Sequence, residues 1–180
     1  MKNALTLLFL CLATVAAQAQ KTSEKKAVVQ KIDSASVLTL DSTIKALYKV
    51  ISGEKGVERN WEQFKYLFKP DSKLIPAGKD KFGDFKVRFL KPDDYIKSSG
   101  KWLVETGFVE KEIHRQVDSF GNISQVFSTY EAFYSESEKT PFMRGINSIQ
   151  LLNDGKRWWI INVYWTHETK YNPIPKKYLN

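Results

Sequence analysis

Residues 142–167 read FMRGINSIQLLNDGKRWWIINVYWTH. Apolar and polar side chains alternate on both sides of Asn153-Asp154-Gly155-Lys156, and Asp-Gly is a strong type I′ hairpin signal. The stretch predicts two antiparallel strands, 142–152 and 157–167. With Asn153 paired to Lys156, Asn147 stands opposite Asn162 and Arg144 opposite Trp165. The same period of two runs through 109–117 and 123–134. The joins Asp118–Asn122 and Ser135–Pro141 are short, so neighbours are antiparallel and the second half of the chain is a β-meander.

Upstream the period changes. Ile44, Leu47, Tyr48 and Ile51 follow helical spacing, with Asp41 or Ser42 as cap and Gly53 as stop. Asn60 opens a second helix with Gln63 three residues on, and Trp61, Phe64, Leu67 and Phe68 form its apolar stripe up to Pro70. Pro92-Asp93-Asp94 opens a third helix toward Leu103. Lys73–Ala77 and Phe85–Leu90 read as short strands. Helices followed by a meander predict an α+β domain over 41–168, with the helices on one face of a curved antiparallel sheet.

The chain has 180 residues, of which 42% are hydrophobic and 27% charged, with five Trp, eight Tyr and eleven Phe. That is enough for one core and excludes both a polytopic membrane protein and a mostly disordered chain. Lys2, the apolar run Leu5–Val15 and Ala17-Gln18-Ala19 have the layout of a secretory signal, residues 1–19, cleaved after Ala19. The run is too short to span a bilayer, so no transmembrane anchor is expected. Cleavage would remove Cys11, the only cysteine. The exported protein, periplasmic or extracellular, would then hold no disulfide and no thiolate. Residues 20–40 are polar and Lys-rich and read as a tether; 169–180, with Asn172-Pro173-Ile174-Pro175, read as an extended tail. The net charge of +8 is dispersed over Lys25-Lys26, Lys79–Lys81 and Lys176-Lys177. No nucleic-acid motif accompanies it, so no nucleic-acid partner is expected, and weak attraction to anionic lipids or glycans is the alternative to a plain solvated surface.

NWEQFKYLFKPDSKL (Asn60–Leu74), FGNISQVFSTYE (Phe120–Glu131) and RGINSIQLLNDGKRWWIINVYW (Arg144–Trp165) resemble the second helix with first strand, the first long hairpin and the closing strand pair of NTF2-like domains, of the SnoaL-like and ketosteroid-isomerase-like type. The resemblance implies a cone: three N-terminal helices on a strongly bent antiparallel meander, with a pocket inside. It also implies a homodimer through the sheet, and it leaves activity open, because this fold hosts isomerases, dehydratases, cyclases and transport factors.

Strand parity then sorts candidate residues. The face carrying Val109, Ile123, Phe127, Phe133, Ile149 and Leu151 is the more apolar and should pack the helices. Its polar members, Thr129, Glu131, Asn147, Asn162 and Tyr164, would line the pocket together with Tyr66 from the second helix. If catalysis occurs, Glu131 is the base and Tyr164 the donor, a pairing that suits proton transfer next to a carbonyl. The opposite face, with Tyr130, Arg144 and Trp165, would be the dimer surface. Glu110, Glu112, His114 and His167 could supply a metal ligand set only if the outer strands converge, so no metal and no cofactor is expected. Three functions remain: a cone binding a small, largely apolar ligand without turnover, which leads; a cofactor-free acid–base enzyme; and a dimerisation module with a filled cone. A cavity with a buried carboxylate favours the enzyme, apolar walls with isolated amides favour binding, and a filled cone favours the module.

Overall fold

A computed structural model describes residues 31–179. The expected leader at 1–19 and the first part of the tether lie outside the described residues. Three helices, α1 (Leu40–Ile51), α2 (Trp61–Leu67) and α3 (Pro92–Thr106), pack on a sheet of β1 (Phe68–Lys79), β2 (Phe85–Val87), β3 (Val109–Phe120), β4 (Ile123–Phe133), β5 (Met143–Asn153) and β6 (Trp158–His167). The strand order is β2-β1-β6-β5-β4-β3. The long strands β3 to β6 form the antiparallel meander, while β1 joins β6 in parallel. No helix among the described residues is long and apolar enough to cross a membrane.

Local chemistry sets the helix boundaries. Thr39, rather than Asp41 or Ser42, caps α1, and Ser42 completes a capping box with it. The Asn60 side chain accepts from the Gln63 backbone N–H at the start of α2. Gln63 turns its own side chain the other way, accepting from the Asp33 backbone N–H and donating to Ser36 Oγ. This draws in a 3-10 helix, Ser34–Val37, and buries Val37. Packed structure therefore begins at Ser34, inside the stretch expected to be a tether.

The core joins Ile44, Leu47, Phe64, Leu67 and Leu103 of the helices to Val126, Ile149, Leu151 and Ile160 of the sheet. Inside it sits a cation. Arg59 is 3% exposed. Its guanidinium donates to the carbonyl oxygens of Ile51, Gly53, Val57 and Leu103. Ile51 and Leu103 lie in the last turns of α1 and α3, so one charged side chain satisfies the carbonyl ends of two helices. Burial pulls the Arg59 pKa down, and Glu58 and Glu54 push it back up.

The meander departs from the simplest register at three places. The hairpin between β5 and β6 pairs Asn153 with Trp158, not with Lys156. A bulge between Gln150 and Leu151 on one side and Ile160 and Asn162 on the other adds one residue to β6. A second bulge adds Ile113 to β3, between Glu112 and His114. The tail does not merely lie extended. It ends in a 3-10 helix, Lys176–Tyr178, packed on the outer face of the sheet, where the Tyr178 ring meets Phe127 at 5.0 Å and the Tyr178 carbonyl accepts from Thr129 Oγ1.

Replacing Arg59 by Met would take a donor from all four carbonyls. Gly53 keeps the Phe108 N–H and Val57 is exposed, so the cost, about 1–3 kcal/mol each, falls on the buried carbonyls of Ile51 and Leu103. Arg59→Met is expected to destabilise the fold by about 3 kcal/mol or more, read from urea unfolding; an unchanged midpoint would show that water or a neighbour replaces the guanidinium.

Candidate functional site

The helices and the inner face of the sheet enclose a cavity of about 390 Å³. Its walls are apolar: Leu47 and Ile51 of α1, Phe64 of α2, Leu103 of α3, Val163 and Trp165 of β6. Six polar side chains line it as well, Tyr95, Ser99, Glu110, Tyr130, Asn147 and His167. A larger groove, about 510 Å³, runs outside beside the β3–β4 turn along Phe120, Ile123 and Leu152, where Asp118 is its only ionisable lining group. Chemistry requires converging polar groups out of water, so the inner cavity is the candidate site.

Glu110 is its centre. Pairing with Ala132 places it on the inner face, two residues before the β3 bulge. Burial raises its carboxyl from the usual range to about 7, against an opposing hydrogen bond from Asn147. Asn147 Nδ2 donates to Glu110 Oε1 at 3.0 Å and to the Tyr48 hydroxyl at 3.1 Å. Tyr48 shares a hydrogen bond with Ser128, and Ser128 donates to Glu112, which Arg115 holds as an ion pair. A chain of donors thus orients the amide so that it presents N–H to the carboxyl group.

On the same face of the sheet, the Tyr130 hydroxyl lies 2.7 Å from His167 Nδ1. Burial keeps the phenol protonated and, with a smaller contribution, so does the Glu110 charge. Partial burial of its ring lowers the His167 pKa from its ordinary value, which favours the neutral imidazole. If Nδ1 carries the imidazole proton and donates to the phenol oxygen, the Tyr130 proton is free for a ligand. Tyr95, its pKa likewise raised by burial, lines the cavity from α3.

The close approach of Tyr130 requires a glycine. A Cβ on Gly145 would stand 2.5 Å from the Tyr130 hydroxyl and 2.5 Å from the Thr166 carbonyl oxygen.

Of the six residues expected in the pocket, the cavity holds Asn147. The other five lie elsewhere. Thr129 is fully buried on the outer face beneath the tail. Glu131 pairs with Arg144 on that face, its carboxylate 3.9 Å from the guanidinium. Asn162 donates to Gln150 Oε1, and Tyr164 is 47% exposed. Tyr66 packs beside the core at the foot of α2, with the Arg157 guanidinium 4.1 Å above its ring. Conversely, Tyr130 and Trp165, expected on a dimer surface, face the cavity, and Tyr130 is only 1% exposed. Neither can anchor an interface through the outer face. Arg144 does lie outside, where its Nε donates to Glu168 at 2.7 Å.

The physical reason is parity. The hairpin is wider by two residues, which preserves the faces, but the one-residue β6 bulge moves Asn162 and Tyr164 outward and brings Val163, Trp165 and His167 in. On β4, the tail hides Phe127 and Thr129 from water, so an apolar residue count does not identify the inner face. The Ile113 bulge turns Glu110 and Glu112 in and His114 out. Among the described residues no group of three or more His, Cys, Asp or Glu side chains is arranged to hold a metal ion.

Comparison with solved structures identifies the architecture. The fold is NTF2-like. A protein of unknown function with a cystatin-like fold from Nostoc punctiforme superposes with a TM-score of 0.54 at 10% identity, covering 74% of this chain and 96% of its own. An NTF2-like protein of unknown function from Silicibacter pomeroyi gives 0.50 at 12% identity, covering 72% and 92%. A protein provisionally assigned as a scytalone dehydratase from Novosphingobium aromaticivorans gives 0.53 at 14% identity, covering 72% and 81%. No family model and no curated protein matches the chain.

Two outcomes follow for the site. Unfolded, Glu110 titrates near its ordinary value; folded, near 7. The folded state therefore holds the extra proton, and stability contributed by neutral Glu110 is full at acid pH and is lost as pH rises through about 7. The loss is on the order of 3 kcal/mol between pH 4 and 8. Unfolding at a series of pH values should show this decline in the wild type and a flatter profile in Glu110→Gln. Gly145→Ala should cost about 1–3 kcal/mol by overpacking and should displace the Tyr130 ring, read as a changed tyrosine and histidine NMR signal pair.

Proposed function

We propose that the cone holds a small, largely apolar molecule bearing a carbonyl group, and that Glu110 moves a proton on the carbon beside that group. The observation that carries this reading is a buried carboxyl group, its pKa pushed up to about 7, in an apolar cavity and on the same sheet face as a phenol backed by an imidazole. A buried carboxyl of this kind suits an acid–base enzyme better than a binding-only cone, whose polar groups would be isolated amides. That two proteins of similar fold, from Novosphingobium aromaticivorans and Streptomyces avermitilis, are provisionally assigned as dehydratases agrees with this choice.

The step follows from the geometry. Ionised Glu110 takes the proton from the α-carbon, and the C–H electrons pass to the carbonyl oxygen as an enolate. Tyr130 donates to that oxygen, with His167 Nδ1–H behind it. Protonated Glu110 then returns the proton to a different carbon in an isomerisation, or to a departing hydroxyl, which leaves as water, in a dehydration. A pKa near 7 lets one group serve as base and acid in turn.

Export through the 1–19 leader is part of this reading, supported by the Ala17-Gln18-Ala19 spacing. A homodimer is also part of it, on the exposed outer-face residues Ile123 and Tyr164 in place of Tyr130 and Trp165.

The test is deuterium exchange at the α-carbon of cyclic ketones in D₂O, followed by NMR. The wild type should accelerate exchange of a ketone that it binds, with a rate rising through pH 7. Glu110→Gln should lose about 10²–10⁴-fold in rate with ketone affinity within about threefold. A bound ketone that exchanges no faster with the wild type, or equally fast with Glu110→Gln, would leave binding alone.

A further inference from the structure

Three aromatic rings stand in water at one end of the sheet. Phe82 is 78%, Phe85 82% and Tyr171 83% exposed. Each carries a lysine over its face: Lys81 Nζ at 4.9 Å from Phe82, Lys79 Nζ at 5.0 Å from Phe85 and Lys170 Nζ at 4.7 Å from Tyr171. Phe82 tips the β1–β2 hairpin, and Lys79 pairs with Phe85 at its neck. Tyr171 tips the turn closed by Thr169 and Asn172.

The register brings the two tips together. β1 and β6 run parallel, with Pro76 opposite Trp165. Three residues beyond that pair, β1 reaches Lys79 and β6 reaches Glu168, so the hairpin tip and the Thr169–Asn172 turn emerge side by side. The acidic groups between them are already engaged. Asp80 accepts from the backbone N–H groups of Phe82 and Asp84, and Asp80 and Asp84 both face Lys86. Glu168 is held by Arg144 and the Ile174 N–H. Lys79, Lys81 and Lys170 have no carboxylate within ion-pair distance among the described residues. At the far edge of the same end the β4–β5 loop carries Glu136 and Glu138, which confines the basic surface to the β1 side.

We propose that these two tips form a docking surface for an anionic lipid bilayer. Aromatic rings of this size seat at the headgroup level, and the ammonium groups beside them reach lipid phosphates, the pattern of a peripheral membrane anchor. A protein partner would need a complementary hollow, whereas a fluid interface takes separate rings with their cations as they stand. The contact also orients the cone. The cavity reaches solvent past Trp102, near the end of α3, and Phe142, which precedes β5. Both lie at the end of the sheet where β6 and β1 finish, so docking turns the cavity mouth toward the lipid. The proposal does not rest on the acid–base reading.

The test is co-sedimentation of the exported chain with vesicles of equal parts phosphatidylglycerol and phosphatidylcholine, against phosphatidylcholine alone. The wild type should pellet with the anionic vesicles and be released by high salt. Phe82→Ser/Phe85→Ser should bind about tenfold more weakly, and Lys79→Glu/Lys81→Glu at least fivefold more weakly, each with an unchanged melting temperature. Glu110→Gln should bind as the wild type does. Wild-type protein left in the supernatant with anionic vesicles would overturn the proposal. So would full binding by both double variants. A change in sedimentation coefficient between wild type and Phe82→Ser/Phe85→Ser, without vesicle binding, would assign the tips to a second copy of the chain.

Discussion

The Arg59 guanidinium holds the cone together. α1 and α3 both finish at the same end of the sheet, and their terminal carbonyls would otherwise be buried without donors. A planar cation with several fixed donors answers both helices and the turn between them at once. The position of α1 relative to α3 decides the width of the cavity, since Leu47 and Ile51 line one wall and Leu103 another. A neutral side chain of equal length would satisfy fewer carbonyls and would relax that spacing. The cone is thus open inside because its helix ends are closed from within.

A second polar structure runs across the cone. From Asp41 at the surface it passes through Arg115, Glu112, Ser128, Tyr48 and Asn147 to Glu110. Each hydrogen bond fixes the direction of the next. Glu112 accepts from the Ser128 hydroxyl, Ser128 is then free to accept from Tyr48, and the Tyr48 oxygen accepts from Asn147. The amide is left with N–H facing Glu110, which favours the carboxylate, while burial favours the acid. The carboxyl sits near neutrality because these two effects oppose each other and burial is the larger.

The outer face shows the opposite strategy. The chain covers part of it with its own tail, through Tyr178 on Phe127 and Ile174, which is buried. The sheet is therefore apolar on both sides, and what distinguishes the inner face is the presence of ionisable groups in contact with the cavity. The exposed aromatic tips, Phe82 and Phe85 of the β1–β2 hairpin and Tyr171 at the start of the tail, are left uncovered at the end where the cavity opens.

The sequence by itself determined the element types, their order and the α+β class. Capping residues such as Asn60, the helical spacing of Ile44, Leu47 and Ile51, and the period of two beyond Val109 are local signals, and local signals survive into the fold. Asn147 was legible as a cavity residue, because its odd position on β5 is set by a strand without a bulge before it. Tertiary structure alone decided the rest of the site. One extra residue near Ile161 exchanged Asn162 and Tyr164 for Trp165 and His167, one at Ile113 set which β3 residues face in with Glu110, and on β4 the tail-covered outer face made Glu131 read as inner and Tyr130 as outer. A bulge depends on how a strand bends over its neighbours, and each one reverses every side chain after it. Arg59 stayed hidden for a similar reason: only the packed helices bring four carbonyls to one guanidinium.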